Sequence, residues 1–345
     1  MGFLDRVRDV AVRLEGRLRE GGLPPRYPTV AVELAPDRIT AVRVAADRKS
    51  REVRVQEVAS CDLPAGAIEP SLVRPNVLQP EPVRSAISAV LSRMVSRDHR
   101  VSVLVPDHVA RVALLGFASL PRTRRELADL VWFRMAKSLP FKQEEAAMDL
   151  VVLDRNPAGG SQAAEISLLA VFIHRAVLEQ YEGLLTGLGY WPGLVGLSTF
   201  ELYNLFRPRI AGQGGGDRDA LLLNVTPHYL SLLIFSGAAL IFYRCKPHPR
   251  GATEAESLAS LGREIYTSLA FYQEKLLGRG LERVFLRVGG MPRDAVLKVV
   301  QTEAGCPVEP LDLLQVLGVA GNVSLGAEEA ERIAPAAGAV AGRRS

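Results

Sequence analysis

Apolar residues are densest between Leu221 and Tyr243, immediately after a glycine-rich spacer at Gly212 to Gly216. Leu221-Leu222-Leu223-Asn224-Val225 predicts a buried strand, and Thr226-Pro227-His228 breaks it. Tyr229 to Phe235 resumes in strand-forming residues, Ser236-Gly237 supplies a two-residue turn, and Ala238 to Tyr243 runs back. Two consecutive hairpins are expected. A membrane-spanning helix is the competing reading, but the uninterrupted apolar run from Tyr229 to Tyr243 is 15 residues. A bilayer needs about 18 to 20, and Asn224, Pro227 and His228 interrupt the upstream half.

Upstream, Val30 to Glu33 and Arg38 to Val44 predict strands joined by a turn at Pro36-Asp37, and Glu52 to Val58 adds a third. Val83, Ile87, Val90, Leu91 and Met94 fall at helical spacing within Pro82 to Met94, and Val101 to Val105 is the next strand. From Arg111 the module changes. A strand to Phe117 precedes a helix from Arg124 to Ser138, which Pro140 stops. Strands at Asp149 to Asp154 and Ala164 to Phe172 flank the loop Asn156 to Ser161, and Ala176 to Leu188 is a second helix.

Past the double hairpin, Thr253 and Glu256 have capping-box spacing for a helix carrying Leu258, Leu261, Ile265, Leu269, Tyr272 and Leu276. Gly278 and Gly280 end it. Val284 to Val288 is a buried strand, Gly289-Gly290 a turn, Asp294 to Glu303 a helix, and Ala336 to Ala341 a short closing helix. At the other end, Phe3, Leu4, Val7, Val10, Ala11, Leu14 and Leu18 recur at three- and four-residue steps, predicting an amphipathic helix. Gly21-Gly22 and Pro24, Pro25 and Pro28 form the linker behind it. Packing on the chain's own body, attachment to a membrane surface and docking to a partner all remain open for this helix.

Composition narrows the function. At 345 residues and 48% hydrophobic content, the chain can bury a substantial core across two domains. Lys plus Arg number 42 against 38 Asp plus Glu, and the surplus is not gathered into a basic tract, so nucleic acid is not the expected partner. Cys61, Cys245 and Cys306 lack CxxC spacing, so neither a disulfide framework nor a zinc site is expected. The charged first 20 residues do not read as a secretory signal, and a cytoplasmic protein is expected.

The paired hairpins resemble the second phosphate hairpin of the actin-like ATPase superfamily. Three further features bring the chain closest to the PilM-type family of type IV pilus assembly: Trp132 to Leu150, the Trp191-Pro192-Gly193-Leu194-Val195 run, and Val284 to Gly290. The resemblance implies an actin-like, ribonuclease H-like two-domain fold with an inserted α+β subdomain of the SHS2 type. It divides the chain into an N-terminal helix and linker (1–27), the first part of domain I (28–110), the insertion (111–189), a return helix (190–211), a spacer (212–219), and domain II with the closing segment (220–345).

The same resemblance assigns nucleotide positions. The first phosphate turn falls on Glu33, Ala35, Pro36 and Asp37, the magnesium- or water-positioning acid on Gly196, the second loop on Asn224 and Thr226, and the adenosine motif on Gly289 and Gly290. Pro36 has no N–H to donate, Asp37 sets a negative charge where an anion would sit, and Gly196 offers no ligand. A pseudo-ATPase with no cofactor, no metal and no catalytic residue is therefore expected; the rival is an ATPase or sugar-kinase relative binding ATP and Mg. His228 reads as a solvent-facing loop residue, and His108 and His174 as locally hydrogen-bonded. The resemblance implies an inner-membrane partner of PilN type, other pilus assembly proteins, and peripheral attachment at the cytoplasmic face of the inner membrane. A GspL-like role in type II secretion is the alternative within the class. Trp132, Phe133 and Phe141 are the candidate peptide-binding residues.

Overall fold

The computed structural model describes residues 28–46, 52–96, 98–153, 166–211, 218–249, 251, 253–321 and 323–342. The expected N-terminal helix and linker, the loop Asn156 to Ser161 and the glycine spacer 212–216 lie outside the described residues.

The first lobe begins with β1 (Val30–Leu34), β2 (Arg38–Ala46) and β3 (Val53–Asp62), an antiparallel meander, followed by α1 (Pro80–Leu91) and β4 (Arg100–Val105). Every residue of β1 is buried, which its unbroken Val-Ala-Val-Glu-Leu sequence anticipates for a strand covered on both faces. β4 pairs parallel to β1, with Val32 opposite Val103.

The inserted subdomain comprises β5 (Ala110–Phe117), α2 (Arg124–Met135), β6 (Ala146–Val152) and β7 (Ile166–His174), with β7 central in an antiparallel three-stranded sheet. Thr123 and Glu126 form a capping box at the start of α2. α2 closes one face of the sheet around Val131, Phe141 and Phe172, a core separate from the rest. The opposite face, with Ala147, Val151, Leu169 and Ile173, joins the core of the first lobe.

The chain returns through α3 (Arg175–Thr186), β8 (Trp191–Leu197) and α4 (Ser198–Ala211). α3 sits within the segment 111–189 assigned to the insertion, yet Val177, Leu178, Tyr181, Leu184 and Leu185 pack into the first lobe. Its helical pattern fixes a buried face, and the parallel crossover from β4 to β8 fixes which core that face enters. The segment 190–211 holds a strand as well as the expected helix.

The second lobe contains β9 (Asp219–Val225), β10 (Tyr229–Ser236), β11 (Ala239–Pro247), α5 (Glu254–Lys275), β12 (Leu281–Val288), α6 (Arg293–Ala304) and β13 (Val308–Pro310). The double hairpin is present, with Gly237 at φ 58° in its turn, and Thr253 and Glu256 form the capping box. The chain then crosses back. β14 (Gly318–Val319) pairs with β3, and α7 (Ala327–Ala341) packs on α4, β1 and β2, so the closing segment grouped with domain II covers the first lobe. The first sheet has the order β14-β3-β2-β1-β4-β8 and the second β11-β10-β9-β12-β13. Apart from β14 they repeat one topology, a meander extended by parallel strands, which is the two-lobed actin-like, ribonuclease H-like arrangement. No helix among the described residues is long and apolar enough to cross a membrane.

Candidate functional site: the cleft between the lobes

The two meanders face each other across a cleft lined by their first turns. From the first lobe come Glu33, Ala35, Pro36 and Asp37; from the second, Thr226, Pro227, His228, Arg287, Gly289 and Gly290. Ala35 N–H donates to the Arg38 carbonyl at 3.1 Å, which closes the first turn. The Thr226 hydroxyl accepts from the His228 and Tyr229 N–H groups at 3.2 and 3.0 Å and donates to the Tyr229 carbonyl, so this threonine organises the second turn. His228 Nε2 lies 3.0 Å from Asp37 Oδ1 and clasps the two turns together, in contrast to the solvent-facing role expected of it. Burial pushes the Asp37 carboxyl up, but the hydrogen bond and charge of His228 outweigh it and hold the group below the usual carboxylate range.

Behind the turns is a buried polar network. Asp107, just beyond β4, is fully buried; its Oδ1 accepts from the Thr199 N–H at 3.0 Å and its Oδ2 from the Ser231 hydroxyl at 2.6 Å. Asn224 Nδ2 donates to the Thr199 hydroxyl at 2.7 Å, and its Oδ1 accepts from Arg287 Nη1 at 2.9 Å. Arg287 Nε donates to the Glu331 carbonyl at 2.9 Å and Nη2 to the Arg332 carbonyl at 3.1 Å, both on α7 of the first lobe. Burial raises the carboxyl pKa of Glu33 and of Asp107; the positive charge of Arg287 opposes it in both, and the Ser231 and Thr199 hydrogen bonds do so for Asp107.

A magnesium nucleotide does not fit these residues. About 60 Å³ is left in the cleft, against the roughly 300 to 1,000 Å³ of a typical ligand site. The protein's own groups fill the lining of the cleft. A Cβ built on Gly289 would meet Arg287 Cζ at 2.5 Å, so the bare glycine is the seat of a guanidinium. Gly290, at φ 82°, needs its glycine for the turn. Pro36 presents no N–H and Asp37 is occupied by His228.

Glu33, Ala35, Thr226, Gly289 and Gly290 line the cleft, and Asn224 lies in the polar network behind it. Gly196 is not among the residues lining the cleft; it lies on β8 at a second cavity, where an added Cβ would be 2.7 Å from Glu201 Oε1, so the glycine makes room for a buried carboxylate. Asp107, Arg287 and Ser231 belong to the site without having been expected there. One signal was available for Arg287, a lone charge inside the apolar strand Val284 to Val288.

A second cavity, also of about 60 Å³, lies at the seam between the inserted sheet and the first lobe. Val105, Ala147, Leu169, Leu178, Val195 and Phe200 give it an apolar lining. The three aromatic residues expected to bind a peptide lie on the α2 side of the inserted sheet and differ in environment. Trp132 is half-buried with its ring edge-on to Phe172 at 6.2 Å. Phe133 is 83% exposed. Phe141 is 7% exposed, within the small core and edge-on to His174, so it is a packing residue rather than an anchor open to a peptide. His174 caps α3, accepting from Ala176 N–H at 3.2 Å.

No protein-family model matches the chain, and no curated protein matches it. Among solved structures, a chain of a PilM–PilN type IV pilus biogenesis complex is similar with a TM-score of 0.73 and 17% identity, covering 92% of this chain and 99% of that one. A Bacteroides thetaiotaomicron protein of actin-like ATPase fold follows with a TM-score of 0.47 and 9% identity, covering 84% of this chain and 91% of its own. The cytoplasmic domain of EpsL, an inner membrane component of the Vibrio cholerae type II secretion system, has a TM-score of 0.45 and 12% identity, with 83% and 90% covered. The chain thus has the actin-like fold, in a form similar along nearly its whole length to a chain of the PilM–PilN structure.

Proposed function

We propose that this chain is an actin-like scaffold of type IV pilus assembly which captures the cytoplasmic N-terminal segment of a PilN-type inner-membrane protein and does not turn over ATP. It would stand at the cytoplasmic face of the inner membrane, held there by that partner. The observation that carries the reading is the apolar seam. β8 is an edge strand of its sheet among the described strands, and Val195, Gly196 and Leu197 of β8 line the cavity. A peptide laid along this edge gains main-chain hydrogen bonds, while an apolar side chain directed into the cavity supplies specificity. The closed cleft supports the absence of turnover, because catalysis of phosphoryl transfer needs metal-holding carboxylates around a bound nucleotide.

Calorimetric titration with a synthetic peptide of the partner's cytoplasmic segment tests the proposal. Val195 is half-buried and packs against the core of the first lobe; Val195→Glu is expected to weaken capture by about ten- to a hundred-fold, as for an interface anchor, and a thermal melt of the same variant separates lost binding from the stability that a carboxylate costs at a half-buried site. Undiminished binding by a folded Val195→Glu variant would place the partner elsewhere.

A further inference from the structure

The buried guanidinium of Arg287 joins the lobes from within. It lies on β12 of the second lobe, 4% exposed, yet two of its three donor contacts reach carbonyls of α7 on the first. The sequence of α7 explains why one of those carbonyls is available. In an α-helix the carbonyl of residue i is taken by the N–H of residue i+4, and four residues beyond Glu331 stands Pro335, which has no N–H. The Glu331 carbonyl would be an orphan in a buried helix, and Arg287 Nε fills the vacancy. Gly289 supplies the floor beneath the guanidinium, and Asn224 holds its remaining edge.

We infer that Arg287, with Gly289 beneath it and the proline-freed carbonyl of Glu331 in front of it, is an internal latch that holds the two lobes closed without a ligand. A bound ligand closes a two-lobed cleft by contacting both sides at once; here a side chain of the protein does so. The fork shape of the guanidinium matters, because its donors point in three fixed directions that an ammonium group cannot match. Other contacts cross the same boundary: Ser231 to Asp107, Asn224 to Thr199, and Arg293 Nη1 to Glu331 Oε1 at 2.9 Å. Arg287 is the one among these that meets α7 through its backbone and also reaches the centre of the polar network. The latch lies in the cleft, apart from the seam and whatever binds there.

Amide hydrogen exchange, read peptide by peptide, tests it on the full chain. In the parent protein without ligand, amides of residues 33–38 and 226–229 are expected to be protected well beyond exposed loops, and millimolar Mg-ATP is expected to leave them unchanged. In Arg287→Met, and in Gly289→Ala, whose new methyl displaces the guanidinium without removing a charge from the chain, these segments should exchange at least about ten-fold faster. The strands of the inserted subdomain, remote from the latch, should keep their parent rates and so separate opening of the cleft from general loss of stability. Unchanged cleft rates in both folded variants would overturn the latch. So would parent cleft amides that exchange as fast as exposed loops, or that gain protection only when Mg-ATP is added; these two readings need no variant.

Discussion

Phe141→Ala is expected to destabilise the chain by about 3–5 kcal/mol, the cost of emptying a well-packed aromatic site, whereas Phe133→Ala should change stability by no more than about 0.5 kcal/mol. The contrast follows from position. Phe141 is packed beneath α2 with Val131, Leu139 and Phe172, and its ring meets His174 edge-on. Removing it leaves a cavity that a three-stranded sheet capped by one helix has few residues to refill. Phe133 projects from the same helix into solvent, where truncation exposes nothing new. Chemical denaturation of both variants, with a probe in the inserted subdomain, gives the two values. Equal stabilities would show that the small core does not depend on Phe141.

The second large effect belongs to Asp107. Asp107→Ala is expected to cost about 2–4 kcal/mol, because it strands the Thr199 N–H and the Ser231 hydroxyl, two buried donors, without an acceptor. Asp107→Asn keeps the shape and one acceptor oxygen and should lose less than half as much. The pair of variants also carries a pH dependence. Burial raises the folded pKa of Asp107 above its ordinary value of 3.8. A raised carboxyl favours the folded state most fully below the unfolded pKa, and that contribution is lost as pH climbs through the folded value. The amide introduced by Asp107→Asn cannot titrate, so the stability gap between parent and this variant should be wider near about pH 4 than near about pH 7. Urea midpoints at the two pH values measure this; a gap that grows with pH would mean that the carboxylate is stabilised by its neighbours rather than penalised by burial.

Much of the architecture was legible because strands and helices here obey simple periods. The double hairpin followed from an apolar run broken at Thr226-Pro227-His228, and α5 from a Thr-x-x-Glu start with a clean helical stripe. Other elements were hidden by local chemistry that tertiary structure overrides. The Trp191-Pro192-Gly193-Leu194-Val195 run was given no strand, yet it opens β8, where an edge strand tolerates proline. Only Ala336 to Ala341 was expected to be helical, whereas α7 starts at Ala327 and runs through Pro335. The side chain that satisfies the interrupted ladder comes from Arg287, 44 positions from Glu331 in sequence. That separation is also why the site was only half legible. Glu33, Asn224 and the glycine pair were assigned through the family resemblance of the turns that hold them, while Asp107 and Arg287 take their meaning from partners on the opposite lobe. Gly196 was assigned to the cleft by alignment of motif order, and the register of β8 against β4 carries it to the seam instead.

The closed cleft is the centre of this account, and isothermal titration of the full chain with Mg-ATP tests it most directly. With a guanidinium seated on Gly289, a proline in the first turn and about 60 Å³ of free space, the expected result is no saturable heat at millimolar nucleotide, with or without magnesium. A saturable, magnesium-dependent isotherm in the micromolar range would contradict the account, since it would require the lobes to part and Arg287 to leave its seat.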